Sequence, residues 1–563
     1  MAILKAATGT FDREHYPNSL TNSVHFSLSE DGSCFQELNQ GHGILFKKAM
    51  IRPDNTLEER GCVQPVLTRR DDTYYIAARV VDALGKPVVS RADSPAQSSG
   101  ALFGGPGENR ATAPEDAEYI LWSTRDFLTF GEECAVRQLP AWDWAEIVEI
   151  PARMASEIRN RWMPVYAVSV SLPPETDKVS LSQLSAVKAS VVYSDGSVHA
   201  KKIDWDTEHV RNAGSADGRR RLTVTGHIRP SKAAFPVARG FADPVICRRD
   251  GKWYYIATND NLNDVGLYVR CADSVDGLFA EDVRQVCILD YDEERQFCQT
   301  FWAPEFHEIG GRLYLLFAVG GKQWAPQSHM MRLRQGGDIM NPADWETPVR
   351  VCRADGAFLT TDGITLDMTY FRNAEKSYLC WSYRYGIGTP LDTGSMLYLA
   401  EISEDRPWVL TTEPVLLSRP LYGWENISGT INNEGPYPLI LGDRIYLAYS
   451  GGAAGGYSYA VGYLSASVHD DPGDPASWTK TPSPVLCSRF LEKTEGPGHN
   501  SFFTDEEGDI YIAYHAQEEN GRVRCSAYHR VHILASGFPV LNVAGERDLP
   551  EHLRRVEATV FAE

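Results

Sequence analysis

The sequence predicts an all-β protein built around a five-bladed β-propeller, and three observations carry that expectation. One pattern returns five times in the second half: a small or apolar residue, a polar residue at a bend, a short strand, a turn rich in Gly and Asp, then an aromatic strand. The copies are "ADPVICRRDGKWYYIATND" from Ala242, "APEFHEIGGRLYLLFAVGG" from Ala303, "LDMTYFRNAEKSYLCWSYR" from Leu366, "NEGPYPLILGDRIYLAYSGG" from Asn433 and "GPGHNSFFTDEEGDIYIAYHAQ" from Gly496. Tyr255, Tyr314, Tyr378, Tyr446 and Tyr511 mark the same place in each, so the period is roughly 60 to 68 residues, the size of a four-stranded blade with generous loops. Long helical periodicity is absent throughout.

The remainder of each copy supplies two more strands. A third strand follows the hairpin, as in "GLYVRCADS", "SMLYLAEIS" and "YAVGYLSAS". A Pro-rich outer segment with a tryptophan comes next, as in "NPADWETPVRV" and "DPASWTKTPSPVL". Five such units over residues 235–545 would close into a ring, and a closed ring leaves no long sheet edge open to other chains.

The first half is expected to hold two further parts. "CVQPVLTRRDDTYYIAARV", from Cys62, parallels the blade that begins near Ala242, which makes residues 1–150 a β-rich, blade-like accessory region. Gln64 stands there where Asp243 stands in the repeat, and an amide cannot serve as a base. Residues 160–232 alternate in the strand period with Asp-Gly turns and resemble an immunoglobulin-like β-sandwich, while residues 546–563 are left as a C-terminal tail.

Composition narrows the function. Against 75 acidic residues there are 55 Lys and Arg, a net charge of −20, which disfavours nucleic acid and anionic membranes as partners. No stretch approaches the roughly 18 apolar residues of a membrane span. The first residues lack the apolar core of a signal peptide, so a cytoplasmic location is expected. The eleven cysteines are scattered singly, with no CxxC and no metal-ligand spacing, and read as buried thiols.

In a propeller, the heads of the innermost strands converge on one pocket. Asp243, Glu305, Asp367, Glu434 and His499 occupy those heads. Like charges held together away from bulk water drive their pKa values apart, and that split supplies an acid and a base. Acidic residues at Asp-Pro and Glu-Gly-Pro bends are also ordinary turn chemistry, but four in register across a repeat point to function. Trp302, Tyr437, Trp424 and Phe241 lie at or near the mouth and offer faces for a sugar ring, Trp302 most clearly. His515 and His529 read as structural histidines.

The run "ADP", "WAPEFH", "LDMTYF", "NEGP", "GPGHNSF", in that order and at those distances, resembles glycoside hydrolase family 43 over about 235–542. The resemblance implies an inverting glycosidase, an exo-acting α-L-arabinofuranosidase acting on arabinose-containing oligosaccharides, with β-xylosidase as the alternative among glycosidases. It implies Asp243 as general base, Glu434 as general acid and Asp367 as the carboxylate that tunes and orients the acid. The wording "LDMT" departs from the Asp-Pro often found there. Trp302, Glu305 and His307 match a pocket-lining motif in which position 305 is often aspartate. Phe241 and Tyr437 are added as substrate contacts. His499 matches an axial histidine that contacts calcium or another ion through water. No cofactor is required beyond that structural calcium. The other readings are a non-catalytic glycan-binding propeller and a phosphorylase or fructosyl-transferring enzyme. A phosphorylase needs a basic cluster to hold phosphate, and the mouth motifs show none. The oligomeric state is left open.

Overall fold

The computed structural model describes residues 1–9, 18–88, 118–208, 210–213, 221–427 and 430–561. The repeat folds as the sequence predicts. Blade 1 pairs Phe241–Arg249, Lys252–Asn259, Leu267–Ala272 and Arg284–Leu289 in order, and blade 2 does the same with Gln299–Ile309, Arg312–Gly320, Gln327–Arg332 and Val349–Arg350. Blade 3 uses Gly363–Arg372, Ser377–Tyr385, Met396–Ile402 and Val415–Ser418. Blade 4 uses Glu434–Leu441, Arg444–Gly451, Ala460–Ser467 and Thr479–Lys480. In blade 5 the strands Thr494–Thr504, Ile510–Glu518 and Cys525–Arg530 are joined on the outer edge by Ala233–Arg239, the strand that precedes blade 1. The chain therefore closes its own ring, and the five four-stranded sheets form the expected five-bladed propeller.

The inner hairpins account for the core. Their second strands are apolar on both faces, since each blade packs on two neighbours: every residue of Leu313–Gly320 is buried, as is every residue from Ile445 to Gly451. Strand register corrects one detail of the sequence reading. Tyr314, Tyr378 and Tyr446 pair with His307, Phe371 and Leu439, each four residues beyond the left-handed residue of its blade's inner strand. In blade 1 the residue at that level is Tyr254, opposite Cys247, and not Tyr255.

The chain divides into two compact units. The first contains residues 1–162 together with 236–503 and 513–527. Its N-terminal region holds a fourfold sheet of Arg60–Arg70, Thr73–Asp82, Tyr119–Thr124 and Cys134–Val136. A second sheet runs in the order Ile147–Ile150, Ala2–Thr8, Val24–Ser29, Gln36–Glu37. An eleven-residue helix, Ala152–Trp162, which the sequence reading did not foresee, buries Ala155, Ile158 and Trp162 along one face. This region packs beside blade 4. Leu20 and Phe46 share a core with Tyr422, Trp424, Ile427 and Tyr449, Asn39 Nδ2 donates to Ser483 Oγ at 2.8 Å, and the Ala49 amide donates to the Leu421 carbonyl at 2.7 Å.

The second unit gathers residues 163–235, 504–512 and 528–563. Its sheet runs Ala167–Ser171, Lys188–Tyr193, Val198–Trp205, Arg221–Ile228, Arg211–Ala213. Arg555–Phe561, in the stretch expected as a tail, pairs along the whole of Arg221–Ile228 up to His227. Val198–Trp205 pairs with Lys188–Tyr193 through its first half and with Arg221–Ile228 through its last three residues. The result is one six-stranded antiparallel sheet, and the expected immunoglobulin-like pairing is not confirmed.

Candidate active site

A β-bulge at the same level of the inner strands of blades 1 to 4 builds the site. The register slips between Ala242 and Val245, Trp302 and Glu305, Leu366 and Thr369, and Glu434 and Tyr437. One residue of each bulge takes a left-handed conformation: Asp243 (φ 54°), Ala303 (47°), Asp367 (53°) and Gly435 (55°), with His499 (45°) in blade 5. A bulge frees a backbone N–H from the ladder and turns its side chain out of the alternation. Four of these freed N–H groups are captured by the preceding blade. Ala303 donates to Thr258 Oγ1 at 2.9 Å, Gly435 to Asp367 Oδ2 at 3.1 Å, His499 to Ser450 Oγ at 2.7 Å and Asp243 to His515 Nδ1 at 3.2 Å. The site is thus stitched to the ring closure itself. The bulge also corrects the expected register: Asp243, Asp367 and His499 are equivalent, whereas Glu434 precedes the left-handed residue by one and Glu305 follows it by two.

Asp243 is 5% exposed and heavily partnered. Thr258 Oγ1 donates to its Oδ2 at 2.5 Å, while Oδ1 faces His515 Nδ1 at 3.0 Å, His499 Nδ1 at 3.2 Å and the Arg524 guanidinium at 3.8 Å. Burial alone would raise its pKa, but the two imidazoles and the arginine outweigh burial and hold the carboxyl well below the usual carboxylate range. Asp243 is ionised at any ordinary pH.

The other pair behaves oppositely. Asp367, 3% exposed, accepts from Ser382 Oγ at 3.2 Å and from the Gly435 amide. Burial, then the charges of Glu434 and Asp243, push it well above the usual range. Burial likewise raises Glu434 to about 7, against the Tyr459 hydroxyl, which donates to Oε1 at 2.9 Å, and the arginines 384 and 524. The strand start that carries Glu434 is anchored from behind by fully buried Glu425. Its Oε1 accepts from Lys480 Nζ at 2.6 Å, Tyr449 OH at 2.8 Å and Asn433 Nδ2 at 3.0 Å, and Oε2 accepts from the Tyr422 amide at 2.9 Å. An ionised carboxylate beside two that retain a proton can supply a base and an acid within one pocket.

Residues 233–536 match the sequence profile of Glycosyl hydrolases family 43. The chain belongs to that family. It is 32% identical over 314 residues to an extracellular exo-alpha-(1->5)-L-arabinofuranosidase of Streptomyces chartreusis, a match covering 55% of this chain and 90% of that protein. It is also 32% identical over 285 residues to alpha-L-arabinofuranosidase B of Pyricularia oryzae, covering 49% of this chain and 54% of the relative, so it spans only about half of that protein. The crystal structure of an alpha-L-arabinofuranosidase from Lactobacillus brevis is similar at 28% identity and a TM-score of 0.47, over 54% of this chain and 94% of that one. As a family 43 member the protein is a glycoside hydrolase, and its substrate is a carbohydrate. The cytoplasmic location expected from the first residues is corrected, because the Streptomyces relative is named an extracellular enzyme. Family 43 enzymes are generally free of cofactors. Among the described residues no group of three or more His, Cys, Asp or Glu side chains is placed to hold a metal ion.

The remaining residues expected at the site divide by position. Trp302 is half-buried, and its Nε1 donates to Asp264 Oδ2 at 2.8 Å. Glu305 and His307 are buried and bonded to each other, Oε2 to Nε2 at 2.6 Å, with Thr369 Oγ1 3.3 Å from the same ring nitrogen. Tyr437 lies with its ring 5.8 Å from His307, so these three pack together. Phe241 packs under the Arg270 guanidinium at 4.6 Å and edge-on to Tyr255 at 6.2 Å. Trp424, 1% exposed, belongs to the core, where its Nε1 donates to the Pro482 carbonyl.

The sequence reading missed the groups that act on the carboxylates of this family 43 site: Thr258, Ser382, Tyr459, Arg384 and Arg524. Thr258, Ser382 and Ser450 each lie four residues beyond Tyr254, Tyr378 and Tyr446, so a repeated Tyr-x-x-x-Ser/Thr was the available signal. The mouth motifs hold no basic residues because Arg384 stands at the end of the second strand of blade 3 and Arg524 between the second and third strands of blade 5. There Asp260 and Asp392 clamp them, at 2.6 and 2.7 Å. His515 is satisfied, as expected, but one of its partners is Asp243.

Proposed function

We propose that the protein is an exo-acting, inverting α-L-arabinofuranosidase on arabinose-containing oligosaccharides. The observation that carries the reading is the opposed proton affinity of its carboxylates: Asp243 is held ionised, while Glu434 is raised to about 7 beside Asp367. In this reading Asp243 takes a proton from the attacking water and Glu434 gives one to the leaving glycosidic oxygen. The bond from the anomeric carbon to that oxygen breaks as the bond to water forms on the opposite face, which inverts the configuration. Inversion needs base and acid about 6.5 to 9.5 Å apart. Burial and the charge of Asp243 keep the proton on Glu434, and Asp367, through the Gly435 amide, sets the strand turn that presents the acid.

The substrate class follows the name of the Streptomyces relative, of which the chain spans 90%. Trp302, half-exposed and fixed by Asp264, is the aromatic face assigned to the sugar. Glu305, His307, Phe241 and Tyr437 shape the pocket around it. Catalysis is assigned to residues 235–545, and residues 1–150, 160–232 and 546–563 to accessory roles.

His499 suits a water-mediated ion. Burial lowers its pKa to about 4, so the ring is neutral; Nδ1–H then faces Asp243, and buried Nε2 has no hydrogen-bond partner. Both side-chain polar atoms of the neighbouring Asn500 are likewise unpartnered. A calcium ion at the axis would be held through a water that donates to Nε2, and would supply positive charge beneath the carboxylates.

Release of p-nitrophenol from the α-L-arabinofuranoside, β-D-xyloside and β-D-galactoside, with the product anomer followed by NMR, tests the proposal. Arabinose released with inverted configuration is the expected result. Release of xylose alone, or retention, overturns it.

A further inference from the structure

Tyr459 immediately precedes the third strand of blade 4 and is completely buried. Its hydroxyl donates to Glu434 Oε1 at 2.9 Å. Burial, then the nearby carboxylate charges, keep that phenol protonated, so toward Glu434 it acts only as a donor. The ring stacks face to face on His515, with centroids 5.3 Å apart and planes 11° from parallel. His515 Nε2 lies 2.9 Å from the Ala454 carbonyl, which can only accept, so Nε2 carries a hydrogen, and Nδ1 faces Asp243. One phenol ring therefore joins the carboxyl that keeps a proton to the imidazole that borders the ionised carboxylate.

The surroundings are built to admit this ring. A Cβ on Gly498 would stand 2.3 Å from Tyr459 Cδ1 and Cε1, so only glycine leaves room at that level of blade 5. The Tyr459 amide is fixed by the Gly456 carbonyl at 3.1 Å. A neutral carboxyl that accepts a hydrogen bond on one oxygen carries its own proton on the other. The charged groups that act on Glu434 are Arg384, Asp243 and Arg524, and none of them is a neutral donor to Oε1.

We propose that Tyr459 is a positioning residue that confines the transferable proton of Glu434 to Oε2 and holds that oxygen toward the leaving group. Through its stack on His515 it keeps acid and base in one frame. This rests on the reading of Glu434 as the general acid.

The test compares Tyr459→Phe with the unsubstituted enzyme on two arabinofuranosides, an unactivated arabino-oligosaccharide and a 2,4-dinitrophenyl glycoside whose leaving group needs no proton. The expected kcat loss is roughly 10- to 100-fold on the oligosaccharide and within about twofold on the dinitrophenyl substrate, with KM little changed. Equal losses on both, or none on either, overturn the inference. Gly498→Ala, which keeps the hydroxyl but displaces the ring, is expected to reproduce the same selectivity. A carbon-13 titration of the glutamate carboxyls needs no turnover at all: Tyr459→Phe is expected to move the Glu434 titration to higher pH, since a donor to its ionised form is gone. An unmoved titration overturns the inference, whereas an enzyme inactive on both arabinosides defeats only the functional reading.

Discussion

Blade 1 and the N-terminal fourfold sheet are built alike where it matters most. Both inner strands slip register at the same point, between Ala242 and Val245 in one and Val63 and Val66 in the other. The left-handed residue has a φ of 54° in each: Asp243 and Gln64. Both freed amides are captured by a side chain, His515 Nδ1 for Asp243 and Thr8 Oγ1 at 2.9 Å for Gln64. What differs is the surroundings. Asp243 is buried among two imidazoles, a hydroxyl and a guanidinium, while Gln64 is exposed. The bulge makes a position, and the neighbouring blades hold a carboxylate there ionised.

That contrast can be broken at several places. Asp243→Asn turns the blade 1 position into a near copy of the N-terminal one, and kcat is expected to fall roughly 10²- to 10⁴-fold with an unchanged circular-dichroism spectrum. Glu425→Ala leaves the half-buried Lys480 without its carboxylate partner and should lower the unfolding free energy by about 3 kcal/mol in urea titration. In the N-terminal region, Glu132→Ala removes the exposed pair with Lys48 and should cost less than about 1 kcal/mol. The smallest effect belongs to Gln64→Asp: turnover stays within about twofold of the original, and the variant does not rescue Asp243→Asn.

The ring was legible because blade hairpins alternate tightly around Gly-Asp turns, and because a repeat multiplies a weak local signal. The carboxylates were legible for the same reason: Asp243, Asp367 and Glu434 stand at repeated bends. Register was not, since a bulge adds one residue to one strand without changing the apolar pattern, which is how Tyr255 was taken for Tyr254 and Glu305 and Glu434 for strict equivalents of Asp243. Groups brought in from other strands were hidden as well. Tyr459, Arg384 and Arg524 sit beyond the inner hairpin's first strand, and only the closure of blades on one another brings them to the carboxylates. The six-stranded sheet of the second unit needed Arg555–Phe561, a pairing across more than 300 residues that local periodicity cannot report.

The central claim is that the site holds one carboxylate ionised and keeps a proton on another up to neutrality. Its most direct test is the pH dependence of kcat/KM on an unactivated arabino-oligosaccharide. Glu434 must be protonated to donate, and its pKa is raised to about 7, so activity is expected to hold through mildly acidic pH and to fall as the pH rises through about 7. Because Asp243 stays ionised well below the usual carboxylate range, no loss from its protonation is expected at mildly acidic pH. A profile that instead rises through neutrality, or that falls already near the ordinary glutamate value, would contradict the assignment of acid and base.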